Sequence, residues 1–384
     1  LEEFTGSKYC VSVSNGTDAL KIALLALGVG IDDEVITVAH TWISTAEVIS
    51  LINAKPVFVD IEDETFNIDI NKIEEKITSK TKAIIVVSLY GQMPDLDRIN
   101  EIANKHNLPV IEDGAQSFGA TLNGKRSCSM TTIGTTSFFP SKPLGCYGDG
   151  GACFTEDEEL AIKMTAIKSH GGIKRFEHKY IGLNGRLDTI QAAILNVKLP
   201  YFNNTLQSRN DCANYYSENL KELEDKGLRL PIIKEGRMSA WAQYSLLVDS
   251  KEIRDKIVQY LKDNITEKSW KKKIMNDVLF NNAIQNYIEI MRLFVTITSD
   301  MLYSICYNIY EKNKKMNIEA KKKLKYFINQ EIYETQFRQI KTYFLLNLDK
   351  IYDIFGIDLH SDNIMRIIFF LEKHNFYYSN YYIY

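Results

Sequence analysis

The stretch Lys8–Gly28, KYCVSVSNGTDALKIALLALG, decides the fold. KYCVSVS alternates like a strand, and TDALKIALLALG places apolar residues at helical spacing before closing on Gly28. Between them an Asn-Gly pair breaks the chain. A strand, a glycine turn and an amphipathic helix make the first half of a crossover unit. Outward from it the alternation continues. EVITVA (34–39), KPVFVDI (55–61), KAIIVVSLYG (82–91) and PVIEDG (109–114) read as strands. STAEVISLINA (44–54), IDINKIEEKI (68–77) and DLDRINEIANKHN (95–107) read as helices. Apolar strands separated by helical segments predict an α/β fold around a mostly parallel sheet. Ligands of such sheets bind beyond the carboxyl ends of the strands.

Composition sets the class. The chain has 384 residues, 45% hydrophobic and 25% charged, as in ordinary globular proteins. A net charge of -3 gives no footprint for nucleic acid. Six scattered cysteines without a CxxC pair fit reduced thiols and a cytoplasmic location. No signal peptide is evident, and IMRIIFFLEKHNF (364–376) is too short and too charged for a membrane span. Leu1 sits inside what reads as a helix end, so a natural start is expected upstream. All seven prolines lie at or before Pro231 and only Gly356 lies beyond Gly236, which marks a change of texture near residue 250. The remainder is rich in Ile, Asn, Lys and Tyr and is expected to be mainly helical.

Candidate chemistry stands at the strand ends. Gly16 and Thr17 open the first helix, whose free amides and positive dipole suit a phosphate; a plain Asn-Gly turn is the alternative. Asp113 ends an apolar strand, either as a shielded functional acid or as a helix cap or ion-pair partner. SFFPSKPLGCYGDGGACF (137–154) cages one lysine, Lys142, between Pro140 and Pro143 and ahead of a Gly148–Gly151 turn. A lysine held near a phosphate and out of bulk water becomes nucleophilic; a solvated loop lysine is the alternative. A phosphate site, a strand-end acid and a later lysine suit pyridoxal phosphate, which needs a Schiff-base amine, an acid beside its ring nitrogen and an anion cradle. Trp42 can cover a ring face or pack in the core.

These motifs together resemble the DegT/DnrJ/StrS-type sugar aminotransferases, fold-type I enzymes that use pyridoxal phosphate to aminate nucleotide-linked keto sugars. The matching runs are FTGSKYCVSVSNGTDAL, TWISTAEVI, PVFVDIEDETFNID, LYGQMPDLDRI, VIEDGAQSFGA, SFFPSKPLGCYGDGGACFT and IGLNGRLDTIQAAIL. They span roughly residues 1–262. SLYGQ and SFFPSKPLGCYGDGGA look most like the branch acting on UDP-linked 3-oxo sugars of the glucuronate type, which serves surface polysaccharides, lipopolysaccharide among them.

The resemblance implies residue roles. Lys142 would bear the Schiff base and carry protons. Asp113 would pair with the ring nitrogen, and Gln116 would contact the ring or its phenolic oxygen. Gly16, Thr17 and Ser137 would hold the phosphate, and Trp42 would stack on the ring. Asn184 would reach the phosphate of a neighbouring subunit, making a homodimer with shared sites. Arg186 would meet anionic groups of the substrate or form a structural ion pair, and His170 is more structural than catalytic. Glutamate would be the amino donor. The expected organisation is a cofactor-binding large domain over 1–200, the start of a small domain over 201–262, and a divergent tail over 263–384. There the resemblance ends: no proline-containing small-domain loop follows, and the tail is a replaced domain, a fusion or a chimeric end. A dehydratase of the same fold would lack Lys142. A non-catalytic member whose tail is an interaction module remains the competing reading.

Overall fold

A computed structural model of the chain describes residues 1–264, and the expected helical tail lies outside them. The elements in order are α1 (Glu2–Thr5), β1 (Tyr9–Val13), α2 (Gly16–Ala26), β2 (Glu34–Val38), α3 (Ser44–Leu51), β3 (Lys55–Val59), β4 (Thr81–Val87), α4 (Leu96–Lys105) and β5 (Val110–Asp113). A short pair follows, β6 (Thr121–Leu122) and β7 (Lys125–Arg126), then β8 (Ile133–Ser137), β9 (Gly151–Thr155) and α5 (Glu158–Ile167). The hairpin β10 (Gly172–Lys174) and β11 (Glu177–His178) leads to α6 (Thr189–Lys198) and α7 (Phe202–Leu220). Last come β12 (Leu228–Arg229), β13 (Arg237–Met238), β14 (Leu247–Val248) and α8 (Lys251–Asn264). Among the described residues no helix is long and apolar enough to cross a membrane.

The central sheet has seven strands in the order β1-β9-β8-β5-β4-β2-β3. β3, β2, β4, β5 and β8 pair in parallel, while β9 runs against both β8 and β1. Every strand but β9 therefore ends on the same edge. The two-residue period of the strands splits the core between the two faces. Ile36, Ile84 and Val110 join one buried cluster with Phe118, Phe138 and Phe154. Their sequence neighbours Val35, Ile85 and Ile111 join another, with α2 and α5 packed over it. Both faces are covered, in keeping with the near-continuous apolar run AIIVV of β4.

Residues 68–77 depart from the expected helix. They form two separate 3₁₀ turns, Ile70–Lys72 and Glu74–Lys76. Ile68 pairs with Ile61 in an extended bridge, which removes the first helical turn, and the β-branched isoleucines lose rotamer freedom in a helix.

Glu112 on β5 is fully buried. Its carboxylate accepts from Ser88 Oγ and Ser127 Oγ, both at 2.7 Å, from Ser117 Oγ at 3.4 Å, and from the Cys128 amide at 2.7 Å. Burial still pushes its pKa above the usual carboxylate value. Truncation leaves Ser88 Oγ, the Cys128 amide and one hydroxyl of the mutually bonded Ser117–Ser127 pair without their acceptor. Glu112→Ala is expected to cost about 3 kcal/mol or more in a urea denaturation measurement; a loss under about 1 kcal/mol would contradict this view of the cage.

Candidate active site

Lys142 lies in the connection from β8 to β9. That loop folds back on itself: Phe138 N donates to Gly150 O at 2.7 Å, Cys146 N to Phe138 O at 2.8 Å, and Lys142 N to Phe139 O at 2.9 Å. Gly145 is required by close approach, since a Cβ there would stand 2.6 Å from Pro140 O. α6 clamps the loop from outside. Lys198 Nζ donates to Gly145 O, and Gln191 Oε1 accepts from Tyr147 N at 2.9 Å. Lys142 is half-buried. Burial lowers its pKa from the ordinary lysine value, and the nearby Asp113 carboxylate opposes that shift.

Asp113 ends β5 and is buried. Its Oδ2 accepts from Thr45 Oγ1 at 2.8 Å, and its Oδ1 accepts from Ala115 N at 3.2 Å. Burial raises its pKa above the usual aspartate value; Thr45, Ala115 and the Lys142 charge pull the other way. The acid is thus held in place by one hydroxyl and one amide donor, with the Lys142 charge near enough to favour its ionised form.

The candidate anion cradle lies where α2 begins. Asn15 caps the helix, its Oδ1 accepting from Asp18 N at 2.8 Å. The first-turn amides, at Gly16 and Thr17, have no carbonyl one turn back to receive them. Gly16 lies against the end of β8: a Cβ would be 2.7 Å from Ser137 Cβ. Thr17 Oγ1 lies 2.8 Å from Ser44 Oγ at the start of α3. Close approach to Ser137 dictates the glycine at position 16. Gly16→Ala is expected to push Ser137 outward and weaken pyridoxal phosphate binding about 10-fold, read by fluorescence titration.

The other expected residues fall in two groups. Trp42 is 71% exposed, so it is not a core residue, and it follows β2 on the same edge. Gln116 sits beyond Asp113, and its Oε1 accepts from Tyr90 N at 2.6 Å. Asn184 and Arg186 are exposed in the 181–188 loop. Gly185 O accepts from Ser14 N at 3.0 Å, so this loop abuts the start of α2. His170, also exposed, donates its amide to Leu183 O at 3.0 Å and serves that loop's backbone. Three residues of evident structural consequence carried no signal by type: Thr45, which holds Asp113; Lys198, which clamps the lysine loop; and Tyr90, which engages Gln116.

An amine of lowered pKa, a buried acid whose charge it senses and a candidate anion cradle closed by the approach of Gly16 to Ser137 stand on one sheet edge. This donor set fits pyridoxal phosphate. It contains no group of three or more metal-ligating side chains among the described residues.

Comparison with known proteins agrees. The model of the DegT/DnrJ/EryC1/StrS aminotransferase family matches residues 1–287. The chain is 53% identical over 252 residues to the UDP-2-acetamido-2-deoxy-3-oxo-D-glucuronate aminotransferase of Pseudomonas aeruginosa, covering 66% of this chain and 69% of that protein. It is 45% identical over 249 residues to the dTDP-3-amino-3,6-dideoxy-alpha-D-galactopyranose transaminase of Aneurinibacillus thermoaerophilus, covering 65% and 68%. Among solved structures, a DegT DnrJ EryC1 StrS aminotransferase from Brucella abortus superposes with a TM-score of 0.65 at 37% identity, covering 68% of this chain and 70% of that one. A Bacillus subtilis protein solved with bound cofactor PMP gives 0.64 at 35% identity, covering 68% and 60%.

Proposed function

The chain belongs to the DegT/DnrJ/EryC1/StrS aminotransferase family, and from that premise we propose that it transfers an amino group from glutamate to a UDP-linked 3-oxo sugar for surface polysaccharide synthesis. The convergence of Lys142, Asp113 and the Gly16–Ser137 cradle on one sheet edge carries this reading. The similarity to the Pseudomonas aeruginosa aminotransferase supports the choice of sugar.

Pyridoxal phosphate supplies an aldehyde that takes up amines and a ring that accepts electrons when a C–H bond breaks. The chain's residues do the rest. The amides of Gly16 and Thr17 and the Ser137 hydroxyl hold the phosphate. Asp113 accepts a hydrogen bond from the ring nitrogen and keeps its proton there. Trp42 covers a ring face, and Gln116 fixes the ring edge. Lys142 would hold the group through its amine until the amine of the donor displaces it; the freed lysine amine would then take the proton from the donor carbon and return it one position along. In the first half-reaction glutamate leaves as its keto acid; in the second the keto sugar takes the amine. Asn184 completes the site of a partner subunit in a homodimer, and Arg186 meets an anionic group of the substrate. Residues 1–200 are the cofactor-binding domain, 201–262 begin the small domain, and 263–384 are a divergent tail.

The test is spectroscopic. Purified protein mixed with pyridoxal phosphate is expected to gain the visible band of the protein-bound cofactor. Glutamate should bleach it, and the UDP-linked 3-oxo sugar should restore it. A chain that shows no band refutes the cofactor assignment; a band that glutamate leaves unchanged refutes the donor.

A further inference from the structure

Glu112 precedes Asp113 on β5, so its side chain leaves the other face of the sheet. The chemistry above does not use it. The groups around its carboxylate come from three segments. Ser88 follows β4, Ser117 lies in the turn after β5, and Ser127 and Cys128 follow β7. Burying a carboxylate is a poor route to stability alone. Its advantage is that one such group accepts from several donors at once and so joins the turns that carry them.

Two of those turns meet at the site. Tyr90 N donates to Gln116 Oε1 at 2.6 Å. Ser88 immediately precedes the 3₁₀ turn Leu89–Gly91 that holds Tyr90, and Ser117 directly follows Gln116. The Glu112 carboxylate therefore grips both sides of the Tyr90–Gln116 contact. Ser88 N also donates to Asp113 O at 3.1 Å, which docks the Tyr90 turn on the backbone of the acid itself.

Neither turn holds its shape unaided. Tyr90 has φ 58°, in the left-handed region that side chains avoid. Beside it, Gly91 has φ 115°, and a Cβ there would be 2.5 Å from the amide nitrogen of Trp241, itself left-handed at φ 45°. Strain of this kind persists only where neighbours over-determine it; here Gln116 holds the Tyr90 amide and the Ser88–Glu112 bond holds the base of the turn. The Gln116 turn is pinned likewise. Gly114 N donates to Thr135 O at 2.8 Å, and Gly114 O accepts from Ser117 N and Phe118 N, both at 3.1 Å. A Cβ on Gly114 would be 2.5 Å from Cys128 Sγ. Cys128 is also left-handed, at φ 72°, and its amide ends on Glu112 Oε2.

We propose that Glu112 is a positioning residue of the site: its carboxylate sets the Tyr90 and Gln116 turns against each other and so aims Gln116 at the cofactor ring. The ring's part rests on the aminotransferase reading, but the first test needs no cofactor. It reads amide hydrogen exchange in the full chain by residue-resolved mass spectrometry. Tyr90 N reports the contact with Gln116, while Ile84 N, bonded to Pro109 O at 3.0 Å in the buried sheet, reports global opening. Glu112→Gln keeps the side-chain length but has one acceptor oxygen, which the Cys128 amide takes, so the serines face an NH2 group. Exchange at Tyr90 is expected to accelerate at least about 10-fold more than at Ile84.

The second test uses the protein loaded with pyridoxal phosphate. Glu112→Gln should lower kcat about 10-fold and leave KM for glutamate within about twofold, as a misaimed group does. In a Gln116→Ala background the same substitution should cost less than about twofold, because the residue it acts through is gone. Ser88→Ala leaves Ser127 and the Cys128 amide on the carboxylate; it should show the same pattern at about 3-fold and carries both tests if Glu112→Gln does not fold. Equal acceleration at Tyr90 and Ile84 overturns the proposal, as does an unchanged kcat or an equal kcat loss with and without Gln116. A wild type without the visible band would instead strike the functional reading, and the exchange measurement would still decide whether Glu112 sets the two turns.

Discussion

Lys142→Ala is expected to lower transamination by at least about 10,000-fold, combining loss of the anchoring amine with loss of the proton carrier. The variant should still bind pyridoxal phosphate through the cradle, without the visible band of the wild type. The loop predicts this separation. Its backbone is closed by Phe138, Phe139, Cys146 and Gly150, and Lys198 and Gln191 clamp it from α6. None of those contacts uses the Lys142 side chain, so fold and cradle survive its removal. Lys142→Arg distinguishes charge from chemistry. Arginine restores a cation beside Asp113 but keeps its proton at all accessible pH. It should therefore be as inactive as the alanine variant. Recovery of more than about a hundredth of wild-type activity in Lys142→Arg would show that Lys142 acts by charge alone.

Much of this was legible from residue order, and the exceptions have physical causes. KYCVSVSNGTDAL exposed the β1–α2 unit because strand and helix differ in period and a glycine separates them. The position of Asp113 at a strand end was legible because the apolar run PVIE leads into it and Gly114 follows, and Lys142 drew notice through the prolines and glycines around it. IDINKIEEKI misled because its isoleucines keep helical spacing while a tertiary bridge at Ile68 overrides it. Thr45 and Lys198 were invisible: a threonine on a helix and a lysine at a helix end have ordinary solvent roles, and only the sheet brings Thr45 to Asp113, sixty-eight residues away. Glu112 was hidden for a related reason. A buried carboxylate suggests a cationic partner, yet its cage is built of serine hydroxyls from three separate segments. The left-handed Tyr90 and Trp241 leave no trace in residue type, since only Gly91 between them is a residue that favours such backbones.

Asp113→Asn is expected to lower transamination by about a hundred- to a thousand-fold, the scale of losing one preorganised electrostatic partner. The same substitution should stabilise the protein without cofactor at neutral pH. The folded environment raises the pKa of Asp113 because burial outweighs Thr45, Ala115 and Lys142. A raised carboxylate pKa favours folding fully below the unfolded value and loses that contribution as pH climbs through the folded one. At pH 7 the ionised acid is therefore a cost, and asparagine removes it. Near pH 3 the wild-type acid is already protonated and the gain should vanish, so melting curves at the two pH values separate this effect from general repacking. Lys142 reports the change independently. The Asp113 charge holds its pKa up against burial, so in Asp113→Asn the amine should lose its proton at lower pH than in the wild type, read by the pH dependence of acylation at that lysine. Thr45→Val should move Asp113 the other way, since losing the 2.8 Å hydrogen bond favours its protonated form, with about a 10-fold loss of rate. Activity lost and apo stability gained in Asp113→Asn would mark an acid retained for a bound group and not for the fold. An asparagine variant that is both inactive and less stable at pH 7 would make Asp113 a structural residue.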